Sequence, residues 1–314
     1  KKYVDQTNNQ QDWNRWRYKY EGKLLTNEDA YVAIDTMLAS LNDPYTKFLD
    51  PKEFAEETAS IKGSLKGIGI QISVKDGKLM VIAPIEGSPA EKAGIIADDE
   101  ILEIDGESTK GISIDKAADK IRGEKGTTVT LNIKRGDTVK KYSVVRDEIE
   151  IKAVSTKLPD GNTTVIPDEI QYIRISSFIS KHVAEDVSKI LMTSKKKKGY
   201  IIDLRSNPGG LLTNAIFISK MLLQNSIIVS TVDRDGYKQT ERAGYTTLTH
   251  APIVVLINKG SASASEILSG ALKDNGRATI IGDQSFGKGL VQEINRLPEG
   301  SGVNITIQRY LTPN

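Results

Sequence analysis

The sequence has no cysteine, only two histidines and two tryptophans, and no surplus of either charge. The missing cysteines exclude disulfides, thiolate catalysis and Cys-based zinc sites. His182 and His250 are too few for a histidine-rich metal centre, and a Ser-His-Asp mechanism would have to use one of them. With 43 basic against 41 acidic residues the net charge is +2, which gives no electrostatic footprint for nucleic acid. The single charge run, Lys195 to Lys198, reads as the solvated end of a helix. No stretch approaches the roughly 20 apolar residues of a membrane span. The opening Lys-Lys-Tyr-Val-Asp is no signal peptide, so a targeting or anchor segment is expected only upstream of it.

What is present fits a soluble globular chain. Hydrophobic residues make up 38% and charged residues 27%, a composition that can bury a core. At roughly 100–200 residues per domain, 314 residues suggest two or more domains. The first 59 residues read as a polar helical segment, with apolar positions 31, 34, 37 and 38 on one face and Asn27 as N-cap. Asp43-Pro44 ends that helix and Asp50-Pro51 opens the next. The Trp13/Trp16 pair is expected to anchor the segment on the rest of the protein or on a second subunit.

From residue 60 to 148 the pattern changes to short strands and glycine turns. Gly67-Ile-Gly-Ile-Gln-Ile-Ser-Val alternates like a strand, Asp76-Gly77 is a hairpin turn, and Leu79-Met-Val-Ile is a second strand. A short helix is expected at Ser88-Pro-Ala-Glu-Lys-Ala-Gly, with Ser88 as N-cap and Gly94 as its stop, and another spans Ile114 to Ile121. Residues 149–314 alternate strands with helices before a β-rich end, which predicts an α/β domain with a central sheet.

Three segments of that last region can carry chemistry. In Pro252-Ile-Val-Val-Leu-Ile-Asn-Lys-Gly-Ser-Ala-Ser-Ala-Ser-Glu, a buried strand leads through a Gly-Ser turn into a helix. A serine there sits at a sheet edge and a helix N-terminus, where backbone N–H groups favour a developing oxyanion. Ser263-Ala-Ser-Glu266 equally fits a capping box. In Gly282-Asp-Gln-Ser-Phe-Gly-Lys-Gly-Leu-Val-Gln, residues 288, 290 and 292 would share a strand face. Lys288 is then either a surface lysine in a glycine turn or a general base, a role that requires desolvation to lower its pKa from about 10.4. Asp203-Leu-Arg-Ser-Asn-Pro-Gly-Gly supplies an oxyanion donor or a tight strand-to-helix connection.

Together these three segments resemble the carboxy-terminal processing, or tail-specific, proteases. The likeness runs from Leu41-Asn-Asp-Pro-Tyr-Thr-Lys-Phe-Leu to Tyr310-Leu-Thr-Pro. It implies Ser263 as nucleophile, Lys288 as base and Gln292 as its orienting partner, on a ClpP/crotonase-like α/β protease domain. It also implies oxyanion donors at Ala264 and at Gly209 or Gly210, and no metal or organic cofactor. Residues 60–148 look like a PDZ domain of the bacterial protease type. Gly67, Ile68, Gly69 and Ile70 match its carboxylate-binding loop, and the next strand would pair with a peptide.

The resulting expectation is a serine endopeptidase that holds an apolar protein C-terminus on its PDZ domain and cuts near it. The alternative is an inert PDZ scaffold that only binds such tails. Arg122, at the exit of a PDZ helix, is either a helix-terminal cation or a regulatory contact with the protease domain. Further expectations are an extracytoplasmic location, a homo-oligomer through the N-terminal helices, and a segment continuing beyond Asn314.

Overall fold

The computed structural model describes residues 2–62, 64–75, 77–85, 87–150, 152–159 and 165–314. Asp76 of the expected hairpin turn lies outside them, although the flanking strands Ile70–Lys75 and Lys78–Pro84 pair antiparallel. The chain divides into two compact units, Lys1–Lys62 with Lys152–Asn314, and Gly63–Ile151. The N-terminal segment therefore belongs to the same unit as the C-terminal half. Its helix Asn27–Ala39 begins one residue earlier than expected, because Thr26 is the N-cap and exchanges hydrogen bonds with Asp29.

The first unit is a mixed α/β structure with two sheets. In the central sheet the strands run Val154–Ser155, Ile170–Ile175, Gly199–Asp203, Ile253–Ile257 and Ala278–Gly282, and the last four are parallel. Their near-continuous apolar runs suit a sheet covered on both faces. Helices Val183–Thr193, Leu212–Leu222 and Ala264–Asp274 supply that cover, and Ile173, Ile202, Val255, Leu268 and Leu272 form its core. The parallel order gathers the turns after Asp203, Ile257 and Gly282 at one sheet edge, where open α/β sheets place their sites.

An antiparallel second sheet adds the strands Lys47–Leu49, Gly302–Leu311, Ile227–Asp233 and Lys238–Arg242, with Leu290–Arg296 also on Gly302–Leu311. Here the N-terminal segment joins the fold: Lys47–Leu49 pairs with Gly302–Asn304, and Tyr3, Leu38, Leu41, Phe48 and Val303 share a small core. The second unit is a sheet of Ile70–Lys75, Lys78–Pro84, Glu100–Ile104, Thr128–Arg135 and Thr138–Val145, with helices Pro89–Lys92 and Ile114–Ile121. Strands Ser64–Gly67 and Asp147–Glu150 pair where the chain enters and leaves it. Among the described residues no helix is long and apolar enough to cross a membrane.

Candidate active site

Ser263 sits at the N-terminus of helix Ala264–Asp274 with φ 54° and ψ −112°, a strained conformation for a residue with a Cβ. Its two neighbouring serines are fully buried and their hydroxyls are engaged in structure. The Ser261 hydroxyl donates to the Leu204 carbonyl at 2.8 Å, and that of Ser265 donates to the Asn207 carbonyl at 3.0 Å. Ser263, half-buried, faces a cleft of about 460 Å³ that Gly210, Lys288 and Gln292 also line. The two sequence readings of Ser263 turn out not to compete, since Glu266 accepts the Ser263 N–H at 2.7 Å as a capping residue would.

The same carboxylate does more than cap. It accepts the N–H groups of Gly287 (2.6 Å) and Lys288 (2.9 Å), and the Tyr310 hydroxyl at 3.3 Å. Glu266 thus ties the serine turn, the lysine loop and the last strand together. Burial pushes the Tyr310 hydroxyl up, and the Glu266 charge adds to it, so the phenol stays a donor.

The glycine turn is fixed from below by fully buried Asn207. Its side chain donates to the Ile175 carbonyl (2.8 Å) and accepts the Gly209 N–H (2.9 Å). Of the two expected oxyanion candidates, Gly209 therefore has its N–H engaged, whereas the N–H groups of Gly210 and Ala264 have no partner among the described residues. Gly209 remains indispensable for space: with φ +99°, a Cβ there would lie 2.8 Å from the Ser263 Cβ and 3.0 Å from the Ala264 N. Asp203, fully buried at the end of its strand, is driven up by burial. Hydrogen bonds from Arg205 and Tyr172 outweigh that and hold its carboxyl below the usual range.

Lys288 is half-buried, and loss of hydration lowers its pKa, with Asp43 opposing. Its amine makes no hydrogen bond to Ser263 or Gln292, and it lies over the Tyr45 ring. Lys288 precedes the strand Leu290–Arg296, and the register shift beside Val291 and Gln292 leaves its extra residue, Ile307, on the facing strand Gly302–Leu311. Lys288, Leu290 and Gln292 all line the cleft, and the Gln292 amide donates to Thr306 Oγ1 at 3.3 Å. Neither histidine lines the cleft, and His182 precedes helix Val183–Thr193 beside Glu185.

A profile of peptidase family S41 matches residues 169–314 and a PDZ domain profile matches residues 80–135. The carboxyl-terminal-processing protease of Picosynechococcus sp. is 44% identical over 317 residues, covering 99% of this chain and 76% of that protein. CtpB of Bacillus subtilis, a carboxy-terminal processing protease, is 41% identical over 292 residues, covering 90% of this chain and 59% of its own length. Among solved structures, the photosystem II D1 C-terminal processing protease is similar, with a TM-score of 0.62 and 33% identity. That match covers 99% of this chain and 85% of the other.

The chain belongs to the carboxyl-terminal-processing proteases. As a member of that family it is a serine-type peptidase with a PDZ domain and takes peptides or proteins as substrates.

The PDZ unit of this processing protease has a groove of about 220 Å³ between Gly67–Ile70 and helix Ile114–Ile121, floored by Ile72, Ile85, Ile121 and Ile149. The N–H groups of Ile68 and Gly69 have no partner among the described residues. Gly69, φ +75°, lies so close to Ser88 that a Cβ would meet that side chain at 2.4 Å. Arg122 caps helix Ile114–Ile121 through its N–H to Ala118 and borders the groove beside Gly67.

Sequence reasoning missed Asn207, the several bonds of Glu266, and Tyr45. Asn207 lies in Asp203-Leu-Arg-Ser-Asn-Pro-Gly-Gly and Tyr45 in Leu41-Asn-Asp-Pro-Tyr-Thr-Lys-Phe-Leu, where no local pattern gives either a role. Only their buried hydrogen bonds and ring contact mark them.

Proposed function

We propose that the protein cuts polypeptides near a C-terminus bound on its PDZ unit, by an acyl-enzyme mechanism run by Ser263 and Lys288. One observation carries the reading: a half-buried lysine with a lowered pKa, and no salt bridge among the described residues, shares a cleft with the one serine of the Ser-Ala-Ser-Ala-Ser turn that is not fully buried. Neutral Lys288 takes the Ser263 proton as Oγ attacks the scissile carbonyl. The oxyanion forms against the N–H groups of Ala264 and Gly210, at the positive end of helix Ala264–Asp274. The Lys288 ammonium then protonates the leaving amine, and a water activated by the same amine hydrolyses the ester. Gln292 offers the amine a neutral polar neighbour, which adds no charge that would raise its pKa.

The apolar floor of the PDZ groove favours an apolar terminal side chain, with its carboxylate on the Ile68 and Gly69 N–H groups. An extracytoplasmic location and self-association through the N-terminal helices belong to the same proposal, as does a regulatory role for Arg122. Arg122→Ala cleaving a tailed substrate at the wild-type rate would remove that role. The test of the main reading is cleavage of an unfolded protein with an apolar tail by wild type, Ser263→Ala and Lys288→Ala, followed by mass spectrometry. Cleavage is expected from wild type alone. Activity lost in His182→Ala or His250→Ala but kept in Lys288→Ala would overturn it, and an inactive wild type that binds tails would leave a scaffold.

A further inference from the structure

The Lys288 Nζ lies 4.3 Å from the centroid of the Tyr45 ring, whereas no hydrogen bond joins it to Ser263 or Gln292. Tyr45 is firmly seated. Its N–H donates to Asp43 Oδ1 (3.0 Å), and Asp43 Oδ2 accepts the Thr46 hydroxyl (2.7 Å). Thr46 Oγ1 accepts the Thr306 N–H (3.0 Å), and Thr306 Oγ1 accepts the Gln292 amide (3.3 Å). The ring and Gln292, two cleft neighbours of the lysine, are thus parts of one hydrogen-bonded frame that joins residues 260 apart in sequence.

A π face is an unusual support for a base. It attracts the ammonium electrostatically, by roughly 0.5–1 kcal/mol at exposed sites and more when desolvated. A carboxylate in the same place would raise the lysine pKa by about 1–3 units and hold it protonated. The ring supports the cation less strongly and loses its grip on the neutral amine. We propose that Tyr45 is a positioning residue: its ring face is the resting seat of the Lys288 ammonium, from which the deprotonated amine is released toward Ser263. The inference rests on the Ser-Lys reading.

Other charged or titratable groups surround the amine. Asp43 accepts the Tyr45 N–H, and Glu266 and Tyr310 hold the lysine loop from the helix and the last strand. Glu57 and Lys47 line the same cleft. Burial lowers the amine's pKa and Asp43 opposes this, so the ring acts in the same direction as Asp43.

The experiment is the pH dependence of kcat/KM on a fluorogenic peptide with an apolar C-terminus, for wild type, Tyr45→Phe, Tyr45→Leu and Tyr45→Met. Without the ring the cation loses support, so the acid limb in Tyr45→Leu and Tyr45→Met moves down by about 0.5–1.5 pH units. Tyr45→Phe keeps the ring and restores the wild-type limb. In a Ser263→Ala background, the pH at which Lys288 becomes reactive to reductive methylation, read by mass spectrometry, moves by the same amount without reference to activity. A limb and a methylation profile unmoved in both apolar variants would overturn the seat, as would a Tyr45→Phe shift as large as theirs. Lys288→Ala separates the two levels: if it is active the Ser-Lys reading fails, and if it is inactive while the limbs of Tyr45→Leu and Tyr45→Met stay at the wild-type position, only the Tyr45 seat fails.

Discussion

The cleft around Ser263 and the groove around Gly67–Ile70 both present main-chain N–H groups with no partner among the described residues, beside a glycine with positive φ, Gly209 in one and Gly69 in the other. Their walls differ. The cleft is set by polar side chains: half-buried Glu266 accepts the N–H groups of Ser263, Gly287 and Lys288, buried Asn207 accepts that of Gly209 and donates to the Ile175 carbonyl, and buried Thr306 accepts the Gln292 amide. The groove is walled by isoleucines, with Ser88 as the polar residue packed against its glycine. Donors that must meet a charge as it develops have to be fixed beforehand, because reorganisation at that moment adds to the barrier. Donors that only hold a finished carboxylate tolerate a softer, apolar frame, and shape then supplies the selectivity.

That contrast can be broken by substitutions on each side. The largest effect is expected from Ser263→Ala, with kcat/KM for a tailed peptide falling by about 10⁴-fold or more. Its affinity for the same peptide, measured by fluorescence anisotropy, should stay at the wild-type value, and a parallel loss of binding would dissolve the distinction. Next comes Gly209→Ala, whose Cβ would press on the Ser263 turn and the Ala264 N–H. A fall in kcat of about 10²–10³-fold with KM little changed is the expected signature of a damaged oxyanion site. On the groove side, Ile114→Glu puts a charge on a half-exposed wall residue. It should raise KM for apolar-tailed substrates about tenfold and disturb kcat much less, as steady-state kinetics would report.

The smallest effect concerns stability. A lysine whose folded pKa is depressed binds fewer protons folded than unfolded in the window between its lowered value and about 10.4. Below that window the buried cation is a fixed cost to the fold. Lys288→Met, inactive, should therefore melt about 1–3 °C higher than wild type at neutral pH in calorimetry. The difference should shrink as pH rises through the lowered pKa; a lower Tm would mean that Tyr45 and Asp43 outweigh burial.

The sequence made some of this legible. The apolar strand, glycine turn and helix around Ser263 could be read locally, because a buried parallel strand and a helix start have local patterns. The lysine loop was readable by its glycines and the strand after it. Gly209 and Gly210 could not be told apart, since the choice turns on the Asn207 side chain, two residues upstream but folded beneath the turn. The contact of Tyr45 with Lys288 sits beside the pairing of Lys47–Leu49 with Gly302–Asn304, which no local pattern specifies. The register shift at Val291/Gln292 is equally silent in sequence.

Ser263 holds a backbone shape that a side chain disfavours by about 1–3 kcal/mol, between two serines anchored beneath it. Glycine adopts that shape freely, so Ser263→Gly relaxes the turn while deleting the proposed nucleophile, a gain reduced by about 0.5–1 kcal/mol of glycine's own entropy. The reactive form is thus the less comfortable one for the fold. Once cleavage ceases to be useful to a lineage, mutation has a downhill path from enzyme to a sturdier binding protein with the same groove.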